Sequence, residues 1–520
     1  MASTRHICMF AAENDVIPGA KVGGIGDVVR DIPRALANEQ TRVTVVIPAY
    51  GSFHEIPGAV QTGTFTTGFR GTPQRVELYE LFADRDVNVR YLVLHHPLFG
   101  AGGKGRVYCD DDDNQPFATD ANKFALFSAS ALSAITSGNI EPVDVLHLHD
   151  WHSALALALI RFDNAYESLR SVRTVFSIHN LALQGIRPFA QNTSSLQAWF
   201  PHLHYEAGYL ADPRWSHCIN PLASAIRLAD KVHTVSPTYA REILLPNDPA
   251  RGFHGGEGLE ADLQQAAAQN RLVGIINGID YPRSSTNGLS WPKFTHQLGD
   301  ELLNLIARQS DLRAVDYVAH QRVLAEARKK RPAHLLTSVG RLTDQKMALL
   351  LQPAANGVTA LERILDTLSG RGLFLLLGSG DVALEEQCRK IASRYSQLLF
   401  INQYSMKLAN LLFSNGDLFL MPSSFEPCGI SQMLAMKEGQ PCLAHAVGGL
   451  RDTIEDNQDG FLFEADSITA QADALVARVE QVLLMRQKKP DGFTRIAATA
   501  RKKKFNWSTS ASRYHSELYS

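Results

Sequence analysis

Short runs of consecutive apolar, β-branched residues recur along this chain, each closed by a turn residue and followed by a stretch of helical period. In the first half they are His6–Phe10, Arg42–Tyr50, Val143–His149, Arg173–Ile178, Lys231–Ser236 and Leu272–Ile276. In the second half they are His334–Gly340, Leu373–Leu377, Leu398–Ile401, Leu418–Met421 and Pro441–Ala446. Several are apolar throughout rather than alternating, as strands buried on both faces of a parallel sheet must be. Strand followed by helix, repeated in two series, predicts two α/β, doubly wound, Rossmann-like domains.

The division between them is expected from 283 to 332. There the turn-rich Tyr281–Gly288 segment leads into a charged, helix-like stretch ending Arg328-Lys329-Lys330-Arg331-Pro332. The expected organisation is a first domain over 1–282, a variable linker over 283–332 and a second domain over 333–504. A last segment, 505–520, is free to return to the first domain. In open α/β sheets ligands bind beyond the carboxyl ends of the strands. Two such sheets facing each other by those ends would enclose a cleft.

Most of the chain's polar clusters fall at those strand ends. Lys21-Val22-Gly23-Gly24-Ile25-Gly26-Asp27 follows the first run, and Val447-Gly448-Gly449-Leu450 follows the last. Each glycine turn precedes a helix-like segment, so its backbone amides can face an anion. Asp27 is expected to cap a helix starting at Val28. The first turn is neither G-x-G-x-x-G nor a Walker A loop, which argues against a dinucleotide or ATPase site. As a bland alternative, it is a plain glycine turn beside a surface lysine.

Arg341 and Lys346 follow another run with the spacing R-x-x-x-x-K. A guanidinium grips phosphate bidentately and an ammonium adds a mobile charge, so the pair suits a diphosphate; two solvated surface cations are the alternative. Glu426, in Ser423-Ser424-Phe425-Glu426-Pro427-Cys428-Gly429, suits sugar hydroxyls or charge developing at an anomeric carbon. It also suits the N-terminus of a helix. His179 and Asn180 sit where a sugar could be held, and Tyr404 sits where a base could stack. Ordinary packing explains each of these equally well.

His147-Leu148-His149-Asp150-Trp151-His152 carries a competing chemistry. His147 and His149 share a strand face, so a zinc hydrolase is conceivable. The cluster misses the H-x-H-x-D-H pattern, because Trp occupies 151 and the aspartate comes one place early. A buried strand histidine with an Asp150–His pair fits it better, and no metal is expected.

Totals narrow the classes further. With 520 residues, two cores are the natural expectation. Lys+Arg 51 against Asp+Glu 53 gives no basic surface for nucleic acid, and no stretch is apolar enough for a membrane span. The runs Asp110–Asp113 and Arg501–Lys504 read as solvated faces. The six cysteines are scattered without a C-x-x-C pair, which suits a reducing compartment and a cytoplasmic protein.

In their order, these segments resemble bacterial glycogen synthase and plant starch synthase, retaining glycosyltransferases of the GT-B fold. Further matching stretches are Asp120–Ser128, Thr234–Ile243, Ile276–Asp280 and Gly378–Asp381. The resemblance implies transfer of glucose from ADP-glucose or UDP-glucose to the non-reducing end of an α-1,4-glucan. By position it implies that Arg341, Lys346 and the Gly448 and Gly449 amides hold the diphosphate, with Lys21, Gly23 and Gly24 approaching from the other domain. Glu426, His179 and Asp150 then line the glucosyl site and Tyr404 packs on the base. The leaving phosphate would take the acceptor proton, domain closure would exclude water, and no cofactor is required. Leu183 stands where the family usually has an aromatic, Met347 where it has glycine, and Val447 where it has threonine. Leu434 replaces the second carboxylate of the wider E-x7-E motif, as is common among glycogen synthases. These departures leave open a weakly catalytic glucan-binding or regulatory protein, or a synthase with another donor or acceptor.

Overall fold

The computed structural model describes residues 4–82, 86–112, 115–281 and 288–520. Most of the turn-rich Tyr281–Gly288 stretch, and Asp113 of the acidic run, lie outside them. The chain forms two compact units: Met1–Asn247 with Gly255–Asp280 and Asn506–Ser520, and Asp248–His254 with Tyr281–Phe505.

The first unit contains β1 (Arg5–Phe10), β2 (Thr41–Pro48), β3 (Val60–Phe69), β4 (Thr72–Leu81), β5 (Val89–His95), β6 (Val145–His149) and β7 (Arg173–Ile178). The short strands β8 (Arg187–Pro188) and β9 (Cys218–Ile219) pair separately, and β10 (Lys231–Thr234) and β11 (Leu272–Gly274) complete the main sheet. Its order is β11-β10-β7-β6-β1-β2-β5-β4-β3. All pairs are parallel except β5–β4 and β4–β3. The parallel strands are buried almost end to end, whereas β3 buries only alternate residues near its end. Among the described residues the antiparallel extension β3–β4–β5 has no helix between its strands, so it stands outside the strand–helix series read from the sequence.

The second unit contains β12 (His334–Val339), β13 (Gly372–Leu377), β14 (Leu398–Ile401), β15 (Leu418–Met421), β16 (Cys442–His445) and β17 (Gly460–Phe463). They form one parallel sheet of order β14-β13-β12-β15-β16-β17. This is the doubly wound order, which reverses between β12 and β15. In the first unit the same reversal lies between β1 and β6. The stretch read as a linker carries two helices, Trp291–Ala307 and Ala314–Ala327, that belong to the second unit.

The last segment is built into the first unit. The Trp507 indole donates to Asp31 (3.1 Å), Ser510 Oγ donates to the Ile276 carbonyl (2.7 Å), and Tyr519 Oη bonds to His147 Nδ1 (2.7 Å). Trp507, Tyr514, Leu518 and Tyr519 are all buried in that unit's hydrophobic core.

Candidate active site

Both units place their polar residues at the topological switch point, where neighbouring loops diverge and leave a crevice. In the first unit, the loop after β1 leads into the helix Gly24–Leu36. Gly23 is its N-cap, so the glycine turn forms the first helical turn itself. Asp27 is therefore not the cap the sequence suggested; it lies within that turn and accepts from Lys21 Nζ at 2.6 Å. Lys21 also lies 3.5 Å from Asp15.

Glu13, buried at the end of β1, fastens this turn from beneath. Its carboxylate accepts the Val22 amide (2.7 Å), the Gly23 amide (2.5 Å) and Tyr108 Oη (2.7 Å). A carboxylate that accepts two backbone amides fixes the entry to a helix. Glu13 is absent from the site residues singled out in the sequence, because its partners come from tertiary folding.

Asp150 starts the helix Asp150–Phe162 with φ of 51°, a conformation that is strained for a non-glycine residue. Its Oδ1 accepts the His179 backbone amide at 2.7 Å. Burial raises its carboxyl pKa to about 8, against the opposing pull of the His179 and Asn180 amides. The sequence suggested a pair between Asp150 and a histidine ring; the bond goes to the His179 backbone instead. The His179 ring bonds through Nε2 to His149 Nδ1 at 2.9 Å.

Behind them, His147 uses both ring nitrogens, one toward Tyr519 and the other toward Ser177 Oγ at 2.6 Å. Ser177 in turn meets His233 Nδ1 at 2.7 Å. His152 packs edge-on against Phe124. Burial lowers all five histidines, to about 3 for His152 and His233 and about 4 for His179. Four of these rings are hydrogen-bonded within the core, and His152 packs on aromatic rings with its Nδ1 unpaired among the described residues. Among the described residues no three His, Cys, Asp or Glu side chains are grouped to hold a metal ion.

In the second unit, Arg341 follows β12 and is exposed; its guanidinium makes no hydrogen bond or ion pair among the described residues. One turn later, in the helix Asp344–Leu351, Lys346 Nζ bonds to Glu426 Oε2. Glu426 is buried after β15, and the same oxygen accepts from Ser423 Oγ at 3.0 Å. The Ser424 amide donates to the Gln345 carbonyl (2.8 Å), and Gln345 Nε2 donates to the Phe425 carbonyl (2.9 Å). The β12 and β15 loops are thus stitched together. A recess opens between them, lined by Val339, Arg341, Lys346, Met347, Pro422 and Ser423.

Gly448 and Gly449 open the short helix Gly448–Thr453. The Gly449 amide donates to the Glu426 carbonyl at 3.0 Å. A Cβ at Gly449 would sit 2.2 Å from the Cys428 carbonyl oxygen, so only glycine fits there. Tyr404, after β14, is 51% exposed. Leu183, in the first unit, is also 51% exposed.

Residues 6–265 match the starch synthase catalytic domain family, and residues 323–499 match the glycosyl transferases group 1 family. The chain is 31% identical over 525 residues to a glycogen synthase of Streptococcus agalactiae serotype III (strain NEM316), covering 98% of both chains. The chain belongs to the glycogen synthase family. A glycogen synthase of Gloeobacter violaceus is 33% identical, again over 98% of each chain. The chain is a retaining glycosyltransferase of the GT-B fold. The fold extends to the catalytic domain of starch synthase IV from Arabidopsis thaliana, solved bound to ADP and acarbose. That structure has a TM-score of 0.75 at 24% identity and covers 99% of both chains. No helix among the described residues is long and apolar enough to cross a membrane.

Proposed function

We propose that this glycogen synthase family member transfers glucose from ADP-glucose to the non-reducing end of an α-1,4-glucan, with UDP-glucose as the alternative donor. The observation that carries the proposal is the joining of Arg341, Lys346 and Glu426 at the β12–β15 switch point. Arg341 is an exposed guanidinium, unpaired among the described residues and suited to a diphosphate. Lys346 is already paired with Glu426, so an incoming phosphate competes for a cation that a carboxylate holds ready. The ADP bound to the Arabidopsis enzyme supports an adenine nucleotide here, with Tyr404 as the surface for the base.

Glu426 is the carboxylate for the sugar and for positive charge developing at its anomeric carbon. The leaving phosphate, held by Arg341 and Lys346, accepts the proton of the incoming glucan hydroxyl on the same face, so no protein nucleophile is required. Gly448 and Gly449 shape the turn behind Glu426. In the first unit, Lys21 and Gly24 serve the donor, whereas the Gly23 amide, expected to face the donor, is taken by Glu13; Asp150 and His179 serve the glucosyl hydroxyls. A neutral His179 donates or accepts a hydrogen bond without adding charge, and a protonated Asp150 gains a donor that a carboxylate lacks. No cofactor enters this chemistry. The six free cysteines support a cytoplasmic setting.

Primer elongation with glycogen, comparing ADP-glucose and UDP-glucose with and without EDTA, tests the proposal. Elongation from ADP-glucose that EDTA does not alter is the expected result. Absence of transfer from both donors by folded protein would refute it and favour a fold kept for glucan binding, to which the exposed Leu183 would then point.

A further inference from the structure

The second unit carries another cavity, at the end of the sheet opposite Arg341 and Glu426. It lies at the amino ends of β12, β13 and β15, has a volume of about 510 Å³, and is walled on one side by the helix Pro490–Lys502. Its polar lining includes His334, Arg371, Asp417, Arg486 and Thr494, and Phe493 supplies an apolar face.

Charge in this cavity is unbalanced. Asp417 Oδ1 pairs with Arg486 Nη2 and accepts from Arg331 Nη2, both at 2.8 Å, while Oδ2 accepts the Leu335 amide at 2.8 Å and Arg331 Nη1 at 3.2 Å. One carboxylate therefore serves two guanidiniums and an amide, with no lone pair directed to a third cation. Arg371 is exposed, and its guanidinium makes no hydrogen bond or ion pair among the described residues. His334 adds no charge: burial, and then Arg486, hold it below its ordinary range. Two guanidiniums, Arg371 and Arg486, line the cavity against one carboxylate, an excess of one positive charge.

Desolvation lowers the Arg486 pKa despite the opposing Asp417 carboxylate, so a second anion beside it would relieve a cost the protein bears alone. Arg486 also lies over the Phe493 ring, 5.7 Å from its centroid. This places a guanidinium edge and an aromatic face side by side. The helix Pro490–Lys502 begins in the wall and adds the positive end of its dipole.

We propose that this cavity binds a small phosphate monoester, with the phosphate held by Arg371 and Arg486 and the ester group resting against Phe493. A phosphate group supplies the anion that Arg371 lacks, and planar guanidiniums match its oxygens bidentately. The cavity is large enough for a sugar-sized ester. Nothing in this inference depends on the donor assignment, since the two sites lie at opposite ends of one sheet.

The test is calorimetric titration of the full-length protein with inorganic phosphate and with fructose 6-phosphate. Wild type, Lys346→Ala, Arg371→Ala and Arg371→Lys are compared, after thermal unfolding shows that each is folded. Lys346→Ala is expected to weaken phosphate binding at the donor recess and to leave the second site intact. Arg371→Ala is expected to raise the dissociation constant of the second site at least about tenfold, with partial recovery in Arg371→Lys. Fructose 6-phosphate is expected to bind that site more tightly than inorganic phosphate. Loss of all binding in Lys346→Ala, or binding indifferent to Arg371→Ala, would overturn the site. Equal binding of phosphate and ester would overturn the ester assignment.

Discussion

The Lys346 ammonium and the Glu426 carboxylate form an ion pair across the β12 and β15 loops, and Ser423 Oγ completes it at 3.0 Å. The cation proposed for the donor phosphate and the anion proposed for the sugar thus restrain each other before any ligand arrives. Replacing Glu426 by Gln frees Lys346 for phosphate while removing the charge that supports the anomeric centre. Transfer is expected to fall about 10²–10³-fold, while the dissociation constant for ADP stays level or falls. Equilibrium binding alongside initial rates checks this, and parallel losses in both would make Glu426 structural.

Glu13 holds the first glycine turn through two amides and the Tyr108 hydroxyl. Glu13→Ala leaves those donors without their acceptor and should destabilise the turn by about 2–3 kcal/mol. Amide hydrogen exchange at Val22 and Gly23 should accelerate ahead of the rest of the helix Gly24–Leu36. Unchanged exchange at both positions would remove Glu13 from this role.

Stability should fall on both sides of neutrality, for opposite reasons. His152, His179 and His233 are held below their ordinary 6.5, at about 3, 4 and 3, by burial. The unfolded chain takes up their protons first, so stability present above pH 6.5 is lost as pH falls toward those values. Asp150 is raised from 3.8 to about 8 by burial. Its contribution is full below about pH 4 and is lost as pH rises through 8. Melting temperatures from pH 5 to pH 9 check the pair of slopes (about one proton per group). His152→Phe, which keeps the packing against Phe124 and removes a buried Nδ1 without a hydrogen bond, should flatten the acid slope. Asp150→Asn should flatten the alkaline one.

Gly449→Ala drives a methyl group into the Cys428 carbonyl oxygen, at 2.2 Å before relaxation. The turn must open, and the Gly449 bond to the Glu426 carbonyl goes with it. Activity should fall at least about tenfold, with a loss of about 1–3 kcal/mol in stability. Gly24→Ala, where an added Cβ meets nothing within 4 Å, is the control and should be mild in stability.

Leu183 exposes half its surface at the position where the resemblance implies an aromatic ring. An aromatic face adds about 0.5–1.5 kcal/mol to a stacked contact. Leu183→Tyr should therefore lower the KM for glucan several-fold and leave the KM for the nucleotide-sugar unchanged. Elongation kinetics with each substrate varied in turn would decide it.

The parallel strands were legible because burial on both faces removes polar residues from them, as in the fully apolar β15. The β3–β4 hairpin was not, since its Thr- and Gly-rich residues are half solvated and its partners are set by pairing rather than by composition. Arg341, Lys346 and Glu426 could be picked out because a charge directly after an apolar run marks a strand end. Ser423, Tyr108 and the His149–His179 bond could not, as each acquires meaning only from a partner far away in sequence. Asp27 misled for a related reason. Its spacing suited a cap, but Gly23 and Gly24 start the helix earlier and leave Asp27 to Lys21.

The burial of Trp507, Tyr514 and Tyr519 among residues of the first unit bears on how the protein is made. A ribosome releases the β1–β11 sheet first, but that sheet's core stays open at Asp31 and His147 until all of Tyr281–Phe505 has been translated. The second unit can close around its own sheet in the meantime. The half of the enzyme that emerges first is therefore finished last, and synthesis halted before Asn506 would leave that half's core open while the second unit is already whole.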